Sequence, residues 1–190
     1  MASSINASTS GAGGIITTAD NTGTLQLQSG GTTIATISST GLALNAGNIT
    51  LPSGAAPTFR AYRSGSQTIS AATTTKVAFN AENFDTNNNY DPTTNFRFTP
   101  TVAGYYQVNS TVGFTTGAGQ ISIFKNGSRY LTGVEVTYNV SLGGHIPIND
   151  LVYLNGSTDY VEIYVYLTSG TTISSDDTNT VFSASMVRSA

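Results

Sequence analysis

The sequence predicts an all-β protein. A sheet sandwich or barrel occupies residues 58–190, a short-stranded β stalk occupies 23–57, and an N-terminal arm occupies 1–22. Three observations carry this prediction. Short runs with apolar residues at alternate positions recur along the second part, separated by Gly-, Asn- and Asp-rich turns. Apolar residues at helical spacing are missing throughout. One run, YDPTTNFRFTPTVAGYYQ from Tyr90 to Gln107, places a strand, a proline-bearing turn and a second strand in order. It carries aromatics at Tyr90, Phe96, Phe98, Tyr105 and Tyr106.

The arm is Ser, Ala, Thr and Gly around Ile5, Ile15 and Ile16. It has no means of building a core alone and should order on a partner. These three isoleucines are its candidate docking residues.

The stalk reads TLQLQ, TTIATIS, GLALN and NITLP, punctuated by Gly30-Gly31, Gly41 and Gly47. Its apolar residues are Leu25, Leu27, Ile34, Ile37, Leu42, Leu44, Ile49 and Leu51, and no charge falls between Asp20 and Arg60. A flexible Gly/Ser linker does not carry apolar residues so regularly. One narrow chain cannot bury both faces of such strands. The stalk should therefore order with other copies of itself or against another protein.

From Thr58 the expected strands are Phe59–Tyr62, Gln67–Ser70, Lys76–Phe79, Phe96–Thr99, Gly104–Phe114, Ile121–Asn126, Asp150–Leu154, Tyr160–Thr168 and Thr180–Arg188. Within Tyr160–Thr168, Val161, Ile163, Val165 and Leu167 share one face; Tyr160, Glu162, Tyr164 and Tyr166 share the other. That tyrosine face is suited to meet a second sheet or a neighbouring subunit. Phe96 and Phe98 should face the same side of one strand. The residues expected to form the core of the head or its packing surface between subunits are Tyr90, Phe96, Phe98, Tyr105, Tyr106, Phe124, Tyr164, Tyr166 and Phe182.

Composition narrows the function. Hydrophobic residues make up 38%, enough for a core, but charged residues only 9%, against about 25% in ordinary soluble domains. Ser, Thr, Asn and Gly fill the gap, which suits a protein packed against partners or built into a particle. The seven basic residues are scattered without a stripe, so nucleic-acid binding is not expected. With no cysteine, disulfides and thiolate chemistry are excluded. No apolar run reaches the roughly 20 residues of a membrane helix, and the first residues lack the basic and apolar regions of a secretion signal.

The run from Tyr90 to Gln107 resembles the signature of the complement 1q globular head, in which a Tyr-Asp-Pro turn leads through a Phe strand to Pro, Gly and Tyr-Tyr. Further matches follow in order. ISIFKNG at Ile121–Gly127 is similar to the hydrophobic strand closing on Asn-Gly. LVYLNGSTDYV at Leu151–Val161 is similar to the Leu-x-Leu, Gly-Asp, Val segment, and VFSASMV at Val181–Val187 resembles the terminal Phe-Ser-Gly strand. Asn95 and Ala184 stand where the family has glycine. The resemblance covers residues 59–188 and implies a complement 1q and tumour-necrosis-factor-like jelly roll that assembles as a homotrimer and works by recognition. The collagen-like stalk of the vertebrate members is absent. The glycine-punctuated segment replaces it, which points away from complement and toward a virion or cell-surface fibre.

Some family members bind calcium through loop carboxylates, which draws attention to Asp85, Asp91, Asp159 and Asp176-Asp177. Calcium takes six to eight oxygens, and no loop here offers a recognisable set. These are read as solvated turns, no cofactor is expected, and calcium is the one metal the resemblance allows. His145, the only histidine, is read as a turn or surface residue. Gly11-Ala12-Gly13-Gly14 lacks the strand-to-helix setting of a phosphate loop. No nucleophile–base or paired-carboxylate arrangement stands out, so no enzyme is expected.

The resulting expectation is a trimeric bacteriophage structural protein on the virion surface, a short tail fibre or spike. Its arm docks on another virion protein of the tail, portal region or capsid, and its head contacts a host-surface ligand. A capsid decoration protein (head fibre or cement) of the same architecture is the alternative. A free bacterial lectin-like module is the second, though it would leave the arm, whose one charged side chain is Asp20, without a purpose.

Overall fold

The computed structural model describes residues 24–29, 31–45, 56–115, 117–138, 144–174 and 176–190. The arm, with Ile5, Ile15 and Ile16, lies outside the described residues, as does the expected NITLP strand. The strands in order are β1 (Leu25–Ser29), β2 (Thr32–Ser38), β3 (Gly41–Leu44), β4 (Thr58–Arg63), β5 (Gln67–Ile69), β6 (Thr75–Lys76), β7 (Ala81–Asp85), β8 (Tyr90–Asp91) and β9 (Arg97–Phe98). Then come β10 (Gly104–Phe114), β11 (Gly117–Lys125), β12 (Ser128–Thr132), β13 (Val136–Tyr138), β14 (Gly144–Leu154), β15 (Val161–Leu167), β16 (Thr171–Ile173) and β17 (Asp176–Ser189). Contacts divide the chain into two units, Met1–Leu51 and Pro52–Ala190.

The first unit contains a three-stranded antiparallel sheet in the order β1-β2-β3. Its register aligns Leu25 with Ile37 and Ile37 with Leu42, and aligns Leu27 with Ala35 and Ala35 with Leu44. Side chains directly opposite in register share a face. All six apolar residues therefore lie on one face. The other face is polar and bonded to itself: Gln28 donates to Gln26 and Thr33, Thr33 to Gln26, and Thr36 to Asn45. The alternation of Leu25 and Leu27 with polar residues thus sorts the sheet into one apolar and one polar face. Ile34 is the exception, an extra residue at the bulge opposite Leu27 and Gln28.

The second unit is a jelly-roll sandwich. Its first sheet runs β5-β16-β10-β17-β4-β7, with β14 pairing β10 along the opposite edge. Its second runs β12-β11-β15-β9-β8, with β13 on β11 and β6 on β15. Alternation in β10 points Tyr106, Val108 and Val112 inward, and β15 answers with Val161, Ile163, Val165 and Leu167, all without solvent exposure. Phe59 of β4 is the hub of the aromatic core. It stacks on Tyr90 at 4.8 Å and Phe98 at 4.6 Å and meets the edge of Phe182 at 4.9 Å. The Tyr90 hydroxyl donates to the Phe79 carbonyl at 2.9 Å, which satisfies the one polar atom of that cluster.

Close backbone approach fixes two glycines. A Cβ at Gly104 would overlap the Arg188 carbonyl oxygen of β17. Gly156 has φ of 71°, and a Cβ there would overlap the Ala103 nitrogen.

The strands depart from expectation at defined places. β14 begins at Gly144 rather than Asp150. Pro147 lies inside it, and this is tolerated because β14 pairs only with β10 and so forms a sheet edge. β6 ends at Lys76, yet Val77 and Phe79 beyond it are fully buried. Phe96 is a correction: it precedes β9 with φ of 50° and is only half-buried, so it does not share the core face of Phe98. The turn between Asp91 and Asn95 ends in a left-handed residue before the strand resumes, and in that backbone the alternation from Phe98 does not extend back to Phe96.

Candidate functional site

The outer face of the first head sheet exposes aromatic and aliphatic side chains. Tyr105 of β10 stands directly opposite Tyr153 of β14, and Gln107 opposite Leu151. The two tyrosine rings lie 5.4 Å apart. Tyr105, Leu151 and Tyr153 are 43%, 48% and 41% exposed, and Val187 at the β17 bulge is also exposed. Tyr105 therefore belongs to the surface, and its neighbour Tyr106 is the core residue.

Next to the tyrosines the same face becomes small and polar. Asn109, Thr111, Pro147, Asn149 and Ser183 surround a shallow concavity of about 210 Å³. No charged side chain lines it. At the edge of the face, Lys125 sits 5.7 Å over the Tyr153 ring, donates to the Tyr153 carbonyl at 2.8 Å and pairs with Asp159 at 3.0 Å. Towards the other end of β14, exposed His145 shares a 2.7 Å hydrogen bond with the Asn179 side chain.

The outer face of the second sheet carries the remaining aromatics. Phe124 and Tyr164 stack at 4.0 Å, and both are half-buried, as is Tyr166. The core, by contrast, receives Ile121, Ile123 and the aliphatic side of β15. Glu162 on this tyrosine face is almost fully buried beneath an ion pair with Lys76. That pair and the stacked rings give the face its own cover. Arg97 lies 4.2 Å over the Tyr160 ring.

An open polar concavity of about 620 Å³ lies along residues 88–101. Asp91 organises it by accepting from the Thr93, Thr94 and Asn95 amides at 2.9, 3.0 and 3.1 Å and from the Asn95 side chain at 2.7 Å. The Thr94 and Thr93 amides hold its carboxyl well below the usual carboxylate range.

The other loop carboxylates are used in the same way. Asp85 accepts the Tyr90 and Asn87 amides. Asp159 is held below its ordinary value first by the Asn126 side chain, and Asp176 first by the Thr178 hydroxyl. Asp177 precedes that threonine as an exposed residue. Among the described residues no three His, Cys, Asp or Glu side chains converge at metal-holding spacing.

Two aromatic anchors, Phe59 and Phe79, were not among the expected core residues. The alternation of Phe59, Ala61 and the following residues in TFRAYR carried the signal for the first. Phe79 lies just beyond β6, and its signal was the Val77–Phe79 alternation of the expected strand Lys76–Phe79; its ring centre lies 5.5 Å from that of Phe182.

No protein-family model matches the sequence, and no curated protein matches it. Solved structures do. The globular domain of zebrafish complement 1qA protein matches with a TM-score of 0.56 at 18% identity, over 70% of this chain and 99% of that one. Murine APRIL matches with a TM-score of 0.53 at 11% identity, over 70% and 99%. Eiger TNF from S. frugiperda matches with a TM-score of 0.53 at 10% identity, over 71% and 93%. The head has the complement 1q and tumour-necrosis-factor jelly-roll fold. At these identities the likeness establishes the fold alone.

Proposed function

We propose that the chain is a homotrimeric recognition protein of a bacteriophage virion, a short tail fibre or spike that binds rather than catalyses. The observation that carries the trimer is the outer face of the β14-β10-β17 layer. Paired tyrosines and a leucine lie at one end, flanked by Lys125 and by Arg188 opposite Tyr105, and small uncharged residues surround the concavity, which has no charge to desolvate. Such a surface packs on copies of itself at low cost, since burying a charge is what makes association unfavourable. Three heads on one axis would then present identical loops to one surface, and avidity multiplies weak contacts.

The scarcity of charge, 9% overall and none between Asp20 and Arg60, supports a protein built into a particle. On this reading residues 1–22 dock on another virion protein and the head faces outward toward a host-surface ligand. Light scattering at micromolar concentration should return the mass of three chains. A stable monomer would overturn the trimer. Labelled antibody against the head should decorate the tail tip in electron micrographs of the particle; label spread over the capsid lattice would favour the decoration protein instead.

A further inference from the structure

The sheet formed by β1, β2 and β3 presents one apolar face, and none of the described residues of its unit covers that face. Leu25, Leu27, Ile37, Leu42 and Leu44 are between 37% and 59% exposed, and only Ala35 at the centre is buried. The opposite face needs no partner, because its glutamines, threonines and Asn45 bond to one another. A single-faced sheet of three strands has too little width to fold over on itself.

We infer that three copies of this sheet pack their apolar faces against one another around a threefold axis, forming a dry prism with the polar faces outside. This rests on the trimeric reading of the head given above. Three arguments select a copy of the same sheet as the occupant. The face is wholly aliphatic, and no charge lies anywhere between Asp20 and Arg60, so nothing in it selects a differently charged partner. The chain ties each sheet to a head through residues 46–55, so a trimer of heads would hold three copies at high effective concentration. Three equivalent faces around one axis each cover part of the other two, which closes the assembly and leaves no apolar face exposed. The central strand would then lie nearest the axis, with Ile37 as its half-exposed apolar residue.

The absence of cysteine makes the test direct. Ile37→Cys and Thr36→Cys, consecutive residues of β2 on opposite faces, are introduced separately into the full chain. Each is treated with a compact three-armed maleimide, and mass is measured by light scattering before treatment. Ile37→Cys should yield a covalent three-chain species on a denaturing gel, and Thr36→Cys only single chains. If both variants are trimers in solution but Ile37→Cys is not captured, the prism is wrong while the head trimer stands. The face would then belong to residues 1–23 or to another protein. If both are monomers and neither is captured, both readings fall. Equal capture of the two variants would overturn the facial assignment on which the prism depends.

Discussion

β15 in the head and β2 in the leading sheet are built on one sequence principle and end in different environments. VEIYVYL alternates throughout and TTIATIS alternates beyond its bulge at Ile34, and both are central strands flanked on each side. In β15 the aliphatic residues lose all solvent exposure, whereas Ile37 of β2 keeps 42% of its own. The difference is the second layer. The head supplies a facing sheet whose side chains interdigitate with β15; among the described residues of its unit the leading sheet has none. Alternation makes a strand and chooses a face, but burial requires another layer.

The sharpest test of this contrast is to remove matched apolar bulk from both places. Phe98→Ala deletes a fully buried ring stacked on Phe59 and edge-on to Tyr106 at 5.5 Å. The head should lose about 3–5 kcal/mol, read as a large fall in the denaturant midpoint at fixed protein concentration. Leu42→Ala, on a side chain 59% exposed, should leave the head's midpoint unchanged. Equal losses would mean that the two regions share one core.

A second, smaller effect is confined to the head. Tyr90→Phe keeps the stack on Phe59 and strips the donor from the Phe79 carbonyl. Leaving that buried acceptor unpaired should cost about 1–3 kcal/mol. A calorimetric melt indistinguishable from the parent would show that the carbonyl finds another donor.

The smallest expected effect is on pH dependence. Asp91 is depressed in the folded head by the amides it accepts. Its unfolded counterpart titrates near 4, so the unfolded chain takes up the proton first as pH falls. The stabilisation is therefore fully present above about pH 4 and drains away below it. Asp91→Asn should lower the denaturant midpoint modestly at pH 7 and flatten its decline between about pH 4 and pH 2. An unchanged acid limb would locate that dependence in Asp159 and Asp176 instead.

Legibility followed length and pattern. β10 runs from Gly104 to Phe114, where its alternation and flanking turns place it, because eleven residues of period two outweigh local ambiguity. β13 and β16 are three residues long and form where longer strands, β11 and β10, pair with them, while two-residue β8 pairs only with the equally short β9. The first half of β14 was obscured by Pro147 and by Gly143-Gly144, which read as turn signals until β10 is seen pairing the whole strand. Phe96 misled because alternation assumes unbroken extended backbone, and the Asp91 turn breaks it at φ of 50°. The face around Tyr105 and Tyr153 could not be assembled from spacing, since the two residues are joined only by the β10–β14 register.

By itself the sequence determined that the described residues form strands rather than helices and which alternate residues would be apolar; the jelly roll came from the resemblance of the run from Tyr90 to Gln107. Strand character and alternation are properties of short stretches, set by backbone sterics and side-chain period. Tertiary structure alone decided that Tyr106 is core and Tyr105 surface, that Phe59 is the hub, and that no described residue of its unit covers the apolar face of the leading sheet. Each of those depends on what the fold brings opposite a residue. Phe59 meets Phe182 from the far end of the head, and an alternating pattern carries no information about which distant segment will cover it.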